Sequence, residues 1–380
     1  MNRRAFLFTP AFLPAILGAQ SEEGFAPLFD GQTLNGWTIR DGPESAFYAR
    51  DGEIAASPSS IHPCWLRSGR QYENFDFRCE FFVKGWIDGG VYLHAPEHGR
   101  NTFCGMQVKI FHQLDKTPMS NSMGAIFPLI APSKVNVRSD GQWNTLRMLM
   151  DWPQLSVWVN GEQVQDLNVE QTPELRHRLR RGYLGLSGLG YPIRFRNLRI
   201  KELPDKEQWQ YLFEADADLE KNWFVSESAE RAPAKFEAMN GVLRGDGAGH
   251  LATREKYRDF VLQLYVRGPR HHNGGILIRS LGRGLSDPRH YEIQIHNVEE
   301  AHYSTGSLYH HKRSIYPRIE DDQWFLMQVV AQGRKCLVRV NGEDVMEYDQ
   351  LENLEEGHIE LQAHQPGVWL EYKHIRVRRL

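Results

Sequence analysis

The chain has 380 residues, with 45 Lys and Arg against 48 Asp and Glu, giving a formal net charge of −3. Hydrophobic residues make up 41 % and charged residues 24 %, the composition of a globular chain with about two domains of roughly 150–200 residues each. The near-neutral balance excludes nucleic acid as the main partner. Four cysteines are too few for a disulfide scaffold. No apolar run beyond the N-terminal segment approaches the roughly 20 residues needed to span a bilayer.

Met1 to Ala19 reads as an export signal. Arg3 and Arg4 form a positive start, Ala5 to Gly18 is apolar but interrupted by Pro10 and Pro14, and small residues then meet the polar run Gln20–Glu23. This layout is too short and too broken for a spanning helix. Arg3-Arg4 followed by Phe6-Leu7 resembles a twin-arginine signal; a plain secretory signal is the other reading. On either, the mature chain starts near Gln20 and works in the periplasm or outside a bacterial cell.

The rest is one unit written twice. Leu28-Phe29-Asp30 recurs as Leu212-Phe213-Glu214, and Asp88-Gly89-Gly90-Val91 as Asn273-Gly274-Gly275-Ile276. Met106-Gln107-Val108 is matched with Ile293-Gln294-Ile295, and Gly141-Gln142-Trp143 with Asp322-Gln323-Trp324. Val159-Asn160-Gly161-Glu162 and Phe195 to Ile200 recur at Val340 to Glu343 and Tyr372 to Val377. A period of this length is a tandem domain duplication rather than a solenoid. The units run over 25–203 and 209–380, divided near Pro204-Asp205-Lys206.

Each unit reads as antiparallel β. Phe75 to Phe81 and Phe260 to Val266 alternate apolar and polar residues, as half-buried strands do. Asn160-Gly161 and Asn341-Gly342 are hairpin turns, because both central residues of that turn need positive φ. Gln171–Arg181 is the best helix candidate. Cys79 and Cys336 fall in phase with core residues. A Cys64–Cys104 disulfide is compatible with export. The fold class is therefore all-β, two tandem β-sandwich or jelly-roll domains.

Strand alternation also sorts the reactive side chains. In Tyr291-Glu292-Ile293-Gln294-Ile295-His296, the isoleucines face a core, while Glu292, Gln294 and His296 share the other face over about 13 Å. Leu277 and Arg279 share a face on the strand before, with His94 in place of Arg279 in the first unit. Glu360 to Gly367, with Gln362 and His364, is a polar strand exit. On the alignment above, the first unit offers Gly105, Gln107 and Lys109 in place of Glu292, Gln294 and His296, and Gly185 to Gly190 in place of the polar exit. Five of 16 histidines precede residue 205 and 11 follow it, so the ionisable groups gather in the second unit. A solvated sheet face is the plain alternative.

Neighbours on a strand point to opposite faces, so neither His271-His272 nor His310-His311 chelates a metal alone. Zinc-protease, CxxC, EF-hand, phosphate-loop and nucleophile-elbow sequences are absent. No cofactor is expected, with a divalent metal left open.

The ordered motifs resemble the 3-keto-disaccharide hydrolase domain family, which has a concanavalin A-like jelly-roll fold. They run from Leu28-Phe29-Asp30-Gly31 and Gly89-Gly90-Val91-Tyr92-Leu93 through Gly141-Gln142-Trp143-Asn144-Thr145 to Val159-Asn160-Gly161 and Arg194 to Lys201. The family pattern reappears in the second unit at Gly275 to Arg279, Tyr291 to Ile295 and Leu361 to His364, departing at Ala363. The first unit departs at His94, Gly105 and Ser187 to Leu189.

The resemblance implies cleavage of 3-keto glycosides. A ketone at C3 acidifies the C2 proton, a base removes it, and the glycosidic oxygen leaves C1 before water adds. It further implies Glu292 or His296 as base and His364 as acid. Arg279, Gln294, Gln362, Gln107 and His94 would then bind substrate. A sugar ligand and a functional link to a sugar 3-oxidoreductase follow as partners. A non-catalytic, lectin-like tandem protein and a structural interaction module are the alternative readings.

Overall fold

Apolar residues at every second position leave each strand with one face that must leave water, and here two sheets per unit satisfy it. The computed structural model describes residues 23–112, 115–138, 141–284 and 289–380. Met1–Ala19, where the sequence predicts an export signal, lies outside the described residues. Among the described residues, each unit packs an eight-stranded antiparallel sheet against a five-stranded one. Phe75, Phe77, Cys79 and Phe81 line the first core, and Leu262, Leu264, Cys336 and Val338 line the second. The all-β, two-sandwich expectation holds. Both hairpin turns take the required conformation, with φ of 50° and 81° at Asn160 and Gly161 and of 48° and 85° at Asn341 and Gly342.

Two local expectations are corrected. Gln171–Arg181 forms successive turns rather than a helix. The segment serves the joint between the units instead: Leu179 is buried there, and the His177 carbonyl accepts from Gln328 Nε2 at 3.3 Å and from the Arg339 guanidinium. Within the first unit, the Arg178 guanidinium donates to the carbonyls of Thr102 and Phe103. Cys64 and Cys104 are both free and buried, so no disulfide links them. Among the described residues no helix is long and apolar enough to cross a membrane.

The second unit's five-stranded sheet runs Trp223–Ser228, Gly249–Thr253, His358–Ala363, Asn273–Ser280, Tyr291–His296. The first unit docks elsewhere, on the outer face of the second unit's eight-stranded sheet. Tyr265 and Leu326 alternate with core residues on that sheet and meet Cys104 and Leu179 in a small apolar cluster. Around it, Glu97 accepts from Lys373 Nζ at 3.0 Å and pairs with His374 Nε2 at 3.0 Å, while Glu214 takes the other His374 nitrogen at 2.9 Å. The Tyr265 hydroxyl accepts from the Glu97 amide at 2.8 Å. The joint thus leaves the outer face of the five-stranded sheet clear.

His374 lies between two carboxylates. Burial opposes its charge, but the hydrogen bonds and negative charges of Glu214 and Glu97 win, and its pKa is pushed up to about 9. A histidine raised in the folded state contributes stability fully below its unfolded pKa, near 6.5, and loses it as pH rises through the folded value. Denaturant unfolding is therefore expected to show the joint weakening as pH rises from 6.5 toward 9, and His374→Gln to flatten that part of the slope. The four buried thiols, whose pKa values burial raises, keep their own decline at higher pH. An unchanged slope in the variant would assign the pH dependence elsewhere.

Candidate functional site

Ile276, Ile278, Ile293, Ile295 and Leu361 hold the five-stranded sheet of the second unit to its core. The ladder then sets out the opposite face as a grid. Leu277 stands across from both Glu292 and Glu360, Gly275 across from Gln294, Asn273 across from His296, and His250 across from Gln362. Glu292, Gln294, His296, Gln362 and His364 line one cleft of ≈ 800 Å³, together with Asn273 and His290. These five sequence-selected residues are brought together.

Glu292 is 6 % exposed. Burial is the sole influence on its carboxyl and pushes the pKa up to about 7. The carboxylate folds over Gly275, where a Cβ would stand 2.5 Å from Oε1, so the glycine supplies the space the acid occupies. Gln294 Nε2 donates to Asn273 Oδ1 at 2.6 Å, which fixes the amide. Burial, then His364 and His271, hold the His296 imidazole below its ordinary pKa. His364 is exposed at the strand exit. Glu292 and His296 are four residues apart, about 13 Å along the strand, so they flank the cleft floor rather than touch.

A loop zips along the free edge of Tyr291–His296. The amides of Tyr309, Gly306 and Thr305 donate to the carbonyls of Glu292, Gln294 and His296 at 2.8, 2.9 and 3.0 Å. The loop raises His302, Tyr303, Tyr309 and His310 as one wall of the cleft. In the same cross-strand row as Glu292, beyond Leu277, the buried Glu360 carboxylate accepts from the Ser226 and Ser280 hydroxyls. Among the described residues no group of three or more His, Cys, Asp or Glu is placed to hold a metal ion.

Three sequence expectations are corrected. Arg279 does not face the cleft. A bulge between Leu277 and Ser280 gives Arg279 a φ of 56° and breaks the alternation that would have put it beside Leu277. Its side chain is 0 % exposed. It donates to Asn353 O and Gly333 O, both at 2.8 Å, and to Asp259 Oδ1 at 3.1 Å. His94, its counterpart at φ 52°, is likewise wholly buried. Its Nε2 lies 2.7 Å from Glu73 O, and burial lowers its pKa to about 4. Neither side chain is a substrate contact.

The third correction concerns register. Val91 pairs with Val108 and Ile276 with Ile293, so Gln107 occupies the place of Glu292, not of Gln294. Lys109 then replaces Gln294, and Phe111 replaces His296. A motif match two residues out is invisible in sequence, because a shift of two keeps every side chain on the same face. Gln107 is 2 % exposed and donates to Gly89 O at 3.3 Å. Lys109 is pinned by Asp88 and lies 4.2 Å over the Phe127 ring. The first unit has thus exchanged an acid for its amide and closed its floor with an internal ion pair.

The family's sequence profile, described as a 3-keto-alpha-glucoside-1,2-lyase-like domain, matches residues 24–201 and again 208–378. The chain belongs to this family. Membership places it among carbohydrate-active, hydrolase-like proteins with two tandem copies of the domain. No curated protein matches the sequence. Two crystal structures from Parabacteroides distasonis ATCC 8503, provisionally assigned as glycosyl hydrolases, are 18 % and 19 % identical to it. The first covers 48 % of this chain and 95 % of its own at TM-score 0.43; the second covers 47 % and 99 % at 0.41. The carbohydrate-binding module CBM66 from Bacillus subtilis is 12 % identical, covering 41 % of this chain and 95 % of its own at TM-score 0.32.

Within the family pattern, sequence reasoning missed Asn273, His290, His302, Tyr303, Tyr309 and Gly275. The signal for the wall is present in the sequence as two aromatic pairs, His302-Tyr303 and Tyr309-His310, in one polar loop. Arg279→Ala is expected to cost about 1–3 kcal/mol of stability, because the Asn353 and Gly333 carbonyls lose their donor, without weakening sugar binding by the protein that remains folded. Weaker binding at equal folded fraction would return Arg279 to the cleft.

Proposed function

We propose that the chain is an exported bacterial enzyme that cleaves the glycosidic bond of 3-keto glycosides, with its chemistry in the second unit. The observation that carries this reading is Glu292. It is a carboxylate raised to about 7 by burial alone, at the floor of an open cleft, and so poised to take a proton near neutral pH.

In this reading Glu292 removes the proton from C2 of the oxidised ring. The electrons pass to the C3 oxygen as an enolate, then return to expel the glycosidic oxygen from C1. The leaving oxygen takes a proton, water adds to the enone at C1, and the net change is hydrolysis. Gln294, oriented by Asn273, and Gln362 supply amide donors for the developing C3 oxyanion. The His296 imidazole, held below its ordinary pKa, is neutral at pH 7 and orients rather than charges the site. His364, exposed at the cleft mouth, is the acid for the leaving oxygen. The residues before Gln20 serve as the export signal, and a 3-oxidising sugar oxidoreductase must supply the substrate.

The lectin-like alternative draws on the first unit, where Gln107 stands in for the acid. It does not account for a buried, uncompensated carboxylate in the second unit, which a binding site would replace with an amide at no loss.

Incubation of the mature protein with a 3-keto glucoside is expected to release the aglycone. Glu292→Gln should lower the rate by about 100-fold or more, and kcat/KM of the wild type should rise with pH through about 7 as the base deprotonates. Full activity in the variant removes Glu292 from the mechanism; absence of release with saturable sugar binding favours the lectin reading. Gly275→Ala, which pushes the carboxylate aside, should cost on the order of 10²-fold in rate while the protein stays folded.

A further inference from the structure

The wall of the cleft has a geometry of its own. His302 and Tyr303 lie 4.6 Å apart between ring centroids with planes at 88°, Tyr303 and Tyr309 5.0 Å apart at 64°, and Tyr309 and His310 4.1 Å apart at 55°. Four rings therefore form one continuous cluster, in which no two touching rings are parallel. Tyr309 remains 38 % exposed. The edge pairing that places Tyr309 N on Glu292 O at 2.8 Å sets this cluster beside the base end of the floor.

Two further facts bear on the occupant. The cleft holds ≈ 800 Å³, toward the upper part of the range of small-molecule sites and more than one pyranose ring fills. Its floor is polar (Glu292, Gln294, Gln362) and its wall aromatic, so a two-part ligand fits: a hydroxylated ring below, an apolar ring beside it. A sugar presents a flat C–H face and stacks best on a flat ring surface. Tilted and T-shaped rings present edges and faces in alternation, the arrangement that receives another aromatic ring.

We infer that the His302–Tyr303–Tyr309–His310 wall is a leaving-group subsite for an aromatic aglycone, so that phenolic 3-keto glycosides are the preferred substrates. This rests on the proposed function for turnover, but not for binding. The first unit lacks the device: Phe127, whose amide donates to Gln107 O as that of Tyr309 does to Glu292 O, is taken up by Lys109.

The test has a binding arm and a turnover arm. By calorimetry, unoxidised phenyl glucoside should bind Glu292→Gln protein about tenfold more tightly than methyl glucoside, the scale of two favourable ring contacts, and a Tyr303→Ala/Tyr309→Ala double variant should bring the ratio toward one. In turnover, the ratio of kcat/KM for 3-keto phenyl glucoside to that for 3-keto methyl glucoside should collapse in the double variant, chiefly through KM. Equal affinity for phenyl and methyl glucosides, or preference for a disaccharide over the phenyl glucoside, overturns the inference. A phenyl preference in binding that vanishes with the tyrosines, without turnover of any 3-keto glycoside, upholds the subsite and overturns the proposed reaction. Circular dichroism of the double variant establishes that it is folded; should it not be, Tyr303→Leu and Tyr309→Leu are read in the same two arms.

Discussion

The pleat of two neighbouring strands, Asn273–Ser280 and Tyr291–His296, is the constraint on which the cleft depends. Ile293 and Ile295 must leave water, and with the backbone fixed by that demand, Glu292, Gln294 and His296 have no choice of side. The same register lays Glu292 beside the bare backbone of Gly275, where no side chain competes for the space. Burial of the carboxylate is thus a consequence of core packing on the far face of the sheet, and its raised pKa is a consequence of that burial.

The duplication supplies an internal comparison. Both units keep the ladder, the turn glycines and the core, because those set whether a sandwich forms. They differ on the solvent face of the five-stranded sheet. Where the second unit buries an acid, the first buries its amide at Gln107; where the second has the Gln294–Asn273 pair, the first has Lys109 and Asp88. An ion pair joined to a ring satisfies its own polar groups and asks nothing of a ligand. Gln294 and Glu292 retain hydrogen-bonding capacity aimed into the cleft. The first unit instead contributes the joint, in which Glu97, His374 and Tyr265 tie the two sandwiches through a face that is not the cleft.

The cleft combines two chemistries on two kinds of backbone. The polar floor stands on strands, whose geometry is rigid and whose spacing is set by the ladder. The aromatic wall stands on a loop, but a loop bonded along the sheet edge through Thr305, Gly306 and Tyr309. That pairing protects an edge strand that would otherwise expose its donors and acceptors, and in doing so it places the rings against the floor.

The sequence alone determined a large part of this: the duplication, the all-β class, both Asn-Gly turns, the core phase of Cys79 and Cys336, and the shared face of Glu292, Gln294 and His296. All of these follow from periodicity or local turn chemistry, which are properties of neighbouring residues. Tertiary structure decided the rest. A bulge turned Arg279 and His94 inward, and nothing in the letters around them marks where alternation fails. The true counterpart of Glu292 in the first unit is Gln107, because register is a relation between two strands and a slip of two residues preserves every pattern a single strand shows. The helix expected at Gln171–Arg181 gave way to turns whose partners, Thr102 and Phe103, lie far away in the chain. The aromatic wall, too, became a wall only when a loop was bonded to a sheet edge. Proximity between distant segments is what the one-dimensional pattern does not contain.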